Sequence, residues 1–153
     1  MLVSYNISCT GYRLLTESEW ERAGRGGTTS TYYWGEATDT TTVGQYAWFT
    51  SNSGSRTQPV GQKVMNAYGL YDMSGNVWEW VWDWVYTSSA WIPYPSGSAT
   101  DYLGGSTGSF RGFRGGGWDF SASNLRSARR FYDGFAPTGR GTGVGLRLAR
   151  TLP

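Results

Sequence analysis

Residues 66–85 read NAYGLYDMSGNVWEWVWDWV, and the second half of this stretch decides what kind of fold to expect. Trp78, Trp80, Trp82 and Trp84 recur at every second position, with Glu79, Val81, Asp83 and Val85 between them. A helix turns about every 3.6 residues and would scatter these rings around its axis, whereas a strand sends alternate side chains to opposite faces. The spacing predicts a β-strand with one heavily aromatic side, and core packing is the expected fate of that side. The competing reading is a platform on which sugars or bases stack. Just ahead of the strand, Asp72, Gly75 and Asn76 stand in a turn-forming run.

Outward from this strand, LLTESEWERAGRGG (14–27) carries the clearest helix signal. Thr16 with Glu19 three residues on is a capping box, Trp20 and Ala23-Gly24 are expected to face inward, and Gly26-Gly27 ends the helix. It is predicted to be the only substantial helix. From Thr28 to Gln62, Thr, Ser and Gly with scattered rings predict long loops pinned by aromatics. Residues 86–113 return to Ser, Gly, Thr and Pro, and VGLRLAR (144–150) alternates like a closing strand. The expected class is α+β, loop-rich, with short antiparallel strands and few helices, in one domain over residues 1–153.

Composition limits the chemistry. The chain has no histidine, which removes the usual general acid/base and most transition-metal sites. Its one cysteine, Cys9, cannot form an internal disulfide. No run approaches a membrane span, and the first residues lack the basic-then-apolar order of a signal peptide. Residues 1–110 hold five basic and nine acidic side chains, while residues 111–153 hold eight Arg and two Asp. An acidic partner or nucleic acid would suit such a basic third. The preferred reading is that the two parts of one fold neutralise each other, and no nucleic acid is expected.

Three blocks, GYRLLTESEWERAGRGG, NAYGLYDMSGNVWEWVWDW and RGGGWDFSASNLRSARR, followed by VGLRLAR, resemble the formylglycine-generating-enzyme (sulfatase-modifying factor) superfamily in order and spacing. The resemblance implies a C-type lectin-like fold of that subtype. Only eleven residues precede Tyr12, where family domains carry a further stretch with another helix, so the chain reads as a pared-down or a trimmed version. The enzymes of this family carry two copper-binding cysteines five positions apart after a Gly-Gly-Ser turn. On Gly115-Gly116-Gly117 that alignment puts them at Phe120 and Leu125, and neither a benzyl ring nor an isobutyl group replaces a thiolate. Related iron-dependent members need histidine ligands. No oxidase activity is expected.

Within the superfamily, the succession Gly-Gly-Gly-Trp, a fixed Ala, Arg-Ser-Ala and Val-Gly-Leu-Arg, with mixed residues between, is similar to the variable proteins of diversity-generating retroelements. In those systems adenines of a template repeat are randomised and copied into the target gene, and an Asn codon so treated never becomes Met, Lys, Gln, Glu or Trp. These types fill 21 of the first 118 positions and none of the 35 from Asp119 onward, where about six are expected at the earlier frequency. The resemblance implies a non-catalytic protein with a hypervariable face near residues 118–142 that recognises a protein or other macromolecular ligand. Candidate contacts are Asp119, Phe120, Ser121, Ser123, Asn124, Phe131, Tyr132, Asp133, Gly134 and Phe135, rings serving as anchors and small polar groups as adaptable contacts. Trp118, Arg126, Arg130 and Arg147 are assigned to the scaffold.

The family's enzymes also bind calcium through positions matching the side chains of Asp72 and Glu79 and the carbonyls of Gly75 and Val77, hard oxygen donors around a glycine turn. No cofactor is otherwise required, and structural calcium is the one the resemblance implies. The alternative at this site is a turn shaped by Asp72 and Asn76, with Glu79 paired to an arginine. Two other functions fit the same blocks: an inactive or atypical relative of the oxidases, and a calcium-dependent carbohydrate-binding module.

Overall fold

The computed structural model describes residues 10–97, 99–100, 102–132, 134 and 141–151. The tryptophan-rich stretch forms β2 (Trp78–Tyr86), the centre of a three-stranded sheet. On one side β3 (Phe110–Arg114) runs antiparallel to it, and on the other β4 (Val144–Leu146) runs parallel, the exception to the antiparallel expectation. The terminal alternation is not one strand. After Arg147 it changes partner and becomes β5 (Leu148–Ala149), antiparallel to β1 (Arg13–Leu14). Arg147 stands at the break, its guanidinium donating to both carboxylate oxygens of Glu79 at 2.8 and 2.9 Å.

Helix α1 (Glu17–Arg25) begins and ends as its sequence predicts. Thr16 Oγ1 accepts the Glu19 amide at 3.2 Å, the Glu19 carboxylate accepts the Thr16 amide at 2.9 Å, and Gly26 closes the helix in a left-handed conformation. A second helix, α2 (Thr40–Tyr46), lies inside the stretch expected to be loop. Its threonines are weak helix formers, but Asp39 caps it by accepting the Thr42 amide, and Val43 is wholly buried. Val43 packs with Tyr32, Ala47, Phe49 and Leu125 in one apolar cluster, while Leu15, Trp20, Tyr33, Met73 and Val81 form another. Rings do pin the loops: Trp34 stacks on Tyr32 at 4.6 Å and on Tyr46 at 5.1 Å.

The aromatic side of β2 does not face the core, contrary to expectation. Trp78 is buried, but Trp80, Trp82 and Trp84 are half-buried, and the fully buried face is Glu79, Val81, Asp83 and Val85. The reason is spacing. On the adjacent strand, a Cβ at Gly112 would lie 2.6 Å from Val85 and 2.9 Å from Val81, so this side packs too closely for indoles. The rings turn outward and are covered there by β3. Phe113 packs on Trp80 at 4.0 Å, and the Arg111 guanidinium lies 3.9 and 4.1 Å from the rings of Trp82 and Trp84. That guanidinium occupies the stacking position that a sugar or base would need.

The inner face carries charge. Arg114, wholly buried, lies 3.7 Å from Glu17 and pairs with Glu21, while Arg130 donates to Glu17 at 2.9 Å. Asp83 accepts the Glu17 amide at 2.6 Å, and Trp20 Nε1 donates to Glu79 at 2.7 Å. Arginines of the C-terminal third thus neutralise glutamates of α1 and β2, the internal pairing read from the charge asymmetry.

Two outcomes follow from this cluster. Removing one partner strands a buried charge, so Glu17→Ala is expected to lower stability by roughly 3–5 kcal/mol in urea denaturation. Burial pushes the Asp83 carboxyl up to about 6, the nearby Glu17 carboxylate adding to the effect and the Glu17 amide opposing it. Asp83 therefore ionises more readily in the unfolded chain, which costs stability above pH ~6 and costs nothing below pH ~4. Relative to wild type, Asp83→Asn should gain on the order of 1–3 kcal/mol as pH rises across that window. A stability difference that stays flat with pH would refute this account of Asp83.

Candidate functional site

Strand β3 delivers the chain into Gly115-Gly116-Gly117, the base of the candidate face. Gly116 has φ +85°, and a Cβ there would lie 2.5 Å from Leu125 Cδ2. The tight passage brings a short 3-10 helix, Ala122–Leu125, against the apolar cluster around Val43. Leu125 is wholly buried in that cluster and Ala122 packs on it. Ser121 and Ser123 are exposed and Asn124 is half-buried. Their polar atoms bond one another, Ser121 Oγ to Ser123 Oγ at 3.0 Å and Asn124 Nδ2 donating to Ser121 Oγ at 3.1 Å. The residues at Ala122 and Leu125 hold the segment, and the mixed residues between them face outward.

Three of the four predicted anchor rings are placed differently from a solvated patch. Phe131 stacks on Trp78 at 4.6 Å and exchanges two backbone hydrogen bonds with Phe113. Phe120 meets Trp78 and Phe131 edge-on at 5.3 and 5.7 Å. Tyr132 stacks on Tyr86 at 4.1 Å and meets Trp91 edge-on. All three are half-buried, closing the outer face of the sheet with one side and meeting solvent with the other. Asp119 is exposed, and Gly134 is exposed with φ +76°. Asp133 and Phe135 lie outside the described residues.

Of the residues assigned to the scaffold, Arg130 and Arg147 are paired as above. Trp118 is half-buried, its amide donating to the Asn76 carbonyl at 2.8 Å. Arg126 departs from its assignment: it is exposed, while Glu17 and Glu21 of α1 are taken by Arg114 and Arg130 and Glu19 by Arg13. Its place at the end of the 3-10 helix turns it away from the sheet.

The triple-glycine turn, the tryptophan strand and the capped helix together define a sulfatase-modifying-factor fold. The chain belongs to the family of sulfatase-modifying factor enzyme 1-like domains, whose profile matches residues 3–152. It is similar in structure to Treponema denticola variable protein 1, with a TM-score of 0.82 and 41% identity over 95% of this chain and 49% of that one. In sequence it is 34% identical to chaperone protein LppX of Paenibacillus barcinonensis, over 97% of this chain and 52% of the relative. It is 46% identical to the formylglycine-generating enzyme of Mycobacterium tuberculosis, over 46% of this chain and 26% of that enzyme. The chain spans about half the length of the Treponema and Paenibacillus proteins. Among the described residues no helix is long and apolar enough to cross a membrane.

The calcium donors implied by the family line a cleft of about 520 Å³ that includes Asp72, Gly75, Val77, Glu79 and Arg147. Their present bonds do not fit a cation. Arg147 holds both oxygens of Glu79, one of which also accepts from Trp20, and Asp72 accepts the Gly61 amide at 2.7 Å. A divalent ion between Asp72 and Glu79 would meet the guanidinium's positive charge. Asp72 and Asn76 both have positive φ, as turn-shaping residues do. Excess chelator is therefore expected to leave the melting temperature unchanged, while Arg147→Gln lowers stability by roughly 1–3 kcal/mol. A melting temperature that falls in chelator would restore the cation to this site.

Proposed function

We propose that this chain is a non-catalytic binding protein whose face at residues 118–142 recognises a macromolecular ligand and is diversified by a retroelement. The observation that carries the reading is the division of labour in the 3-10 helix. Ala122 and Leu125 fasten it, while Ser121, Ser123 and Asn124 change the surface without reaching the core. The absence of Met, Lys, Gln, Glu and Trp after Trp118 supports the same reading, as does the likeness to Treponema denticola variable protein 1. Catalysis of the family's oxidative kind has no support at Phe120 and Leu125, a half-buried ring and a wholly buried aliphatic chain. A small-molecule site encloses its ligand in a concavity, whereas these side chains stand on a helix surface and a sheet edge, as suits a larger partner.

The face has two grades of position. Asp119, Ser121, Ser123 and Asn124 are the adaptable polar group. Phe120, Phe131 and Tyr132 are rigid rings whose stacks lower the entropy lost when they meet a ligand.

The test is a library in two arms. Randomising Asp119, Ser121, Ser123 and Asn124 is expected to move stability by only about ±0.5 kcal/mol in most members. Phe131→Ala is expected to cost roughly 1–3 kcal/mol, below the cost of a fully buried ring. Binding selections against a panel of proteins should recover different partners from different members. A polar arm that largely fails to fold would place those residues in the core and end the proposal. So would turnover of a cysteine-containing peptide in the presence of copper.

A further inference from the structure

Four of the arginines beyond residue 110 have a structural occupation. Arg114, Arg130 and Arg147 neutralise Glu17, Glu21 and Glu79, and Arg111 lies over Trp82 and Trp84. Arg126 and Arg129 do not. Among the described residues neither makes an ion pair, and Arg129 Nε is buried with no hydrogen-bond partner. The two are joined by a turn in which the Arg129 amide donates to the Arg126 carbonyl at 2.9 Å, directly after the 3-10 helix of the candidate face.

Two open clefts share Arg126 and Ala128 as a common wall. One, of about 280 Å³, is completed by Trp91, Arg129 and Arg130. The other, of about 460 Å³, is lined by Arg25, Thr31 and Glu36 among others. Among the described residues Glu36 is the only acid on either lining, and its carboxylate accepts the Thr31 amide at 2.8 Å. Two uncommitted guanidinium groups, an exposed indole and hardly any acid make a double cleft suited to carboxylates.

We propose that this double cleft docks an acidic peptide segment of a partner protein, its carboxylates pairing with Arg126 and Arg129 and its chain passing over Trp91. A guanidinium fork matches a carboxylate in plane and charge. Nucleic acid is the poorer fit, because its affinity comes from neutralising many phosphates and only two guanidinium groups here are uncommitted. The cleft draws on the same stretch of chain as the face described above but includes none of its candidate contact residues. It would supply a fixed electrostatic contact, raising association rates whatever the neighbouring face selects. The inference rests on reading that face as a binding surface only for its biological setting.

The probe is fluorescein-labelled hexaglutamate, followed by fluorescence anisotropy, with hexaglutamine and oligothymidylate as comparison ligands. Hexaglutamate should bind the wild-type chain, bind more weakly as salt rises towards about 0.3 M, and exceed both comparison ligands. Arg126→Gln/Arg129→Gln should weaken it about tenfold or more. Arg56→Gln/Arg150→Gln removes equal charge from exposed positions outside the clefts and should change affinity by less than about twofold. Unchanged melting curves confirm that both variants fold. The proposal is overturned by no hexaglutamate binding, by equal losses in the two double variants, or by tighter binding of oligothymidylate. Because the probe is scored without the partner of the neighbouring face, failure of the cleft and failure of that face are told apart.

Discussion

Glu17 is the residue on which the arrangement of this domain converges. It opens α1, lies buried against β2 and β3, and brings Arg114, Arg130 and Asp83 to one place. Buried charges of this kind stabilise little compared with a well-packed apolar core, but they penalise every arrangement in which a partner is missing. Helix α1 cannot slide along the sheet without stranding Arg114. Strand β3 cannot shift register without moving Arg114 from the glutamates, and the segment after the 3-10 helix is held by Arg130. Four segments far apart in sequence are located by one carboxylate and its neighbours. With few regular elements and long loops, the domain has little else to specify its geometry.

Much of the framework was legible in the sequence, because local rules governed it. The capping box at Thr16 and Glu19, the glycine stop at Gly26 and the strand period from Trp78 to Trp84 depend on neighbours in the chain. What was not legible depended on distance in space. Period two says that Trp80 and Val81 face opposite ways, but not which face meets the helix. That choice was made by the close approach of Gly112, on another strand. Helix α2 was hidden by its threonines, although Asp39 and Val43 carried its signal. The parallel pairing of β4 with β2 and the change of partner after Arg147 depend on contacts distant in sequence, among them the guanidinium that reaches Glu79 across 68 positions.

The candidate site divides in the same manner. The set at Ser121, Ser123 and Asn124 could be separated from the fixed Ala122 through the family resemblance, whereas the burial of Leu125 came only with the structure. Phe120, Phe131 and Tyr132 looked alike in sequence and differ from the serines only because Trp78 and Tyr86 lie beneath them. Arg126 and Arg130, four positions apart, looked equivalent as well. One points to solvent while the other reaches a glutamate 113 positions away. At the start of β2, an arginine holds the carboxylate that the family pattern assigns to an ion, and the strand order that brings it there is not written locally.

The stack of Phe131 on Trp78 gives that position two readers. On the proposed function a partner would meet the exposed edge of the ring, while the sheet holds its hidden face. Any process that varies residue 131 is therefore filtered by folding before it is filtered by recognition. Flat or bulky apolar side chains pass the first filter most easily, whereas a glycine or an acid there uncovers Trp78. At Ser123 the first filter is nearly absent. A repertoire written across both positions would be uneven: broad over the 3-10 helix, and biased towards rings where the sheet needs a roof.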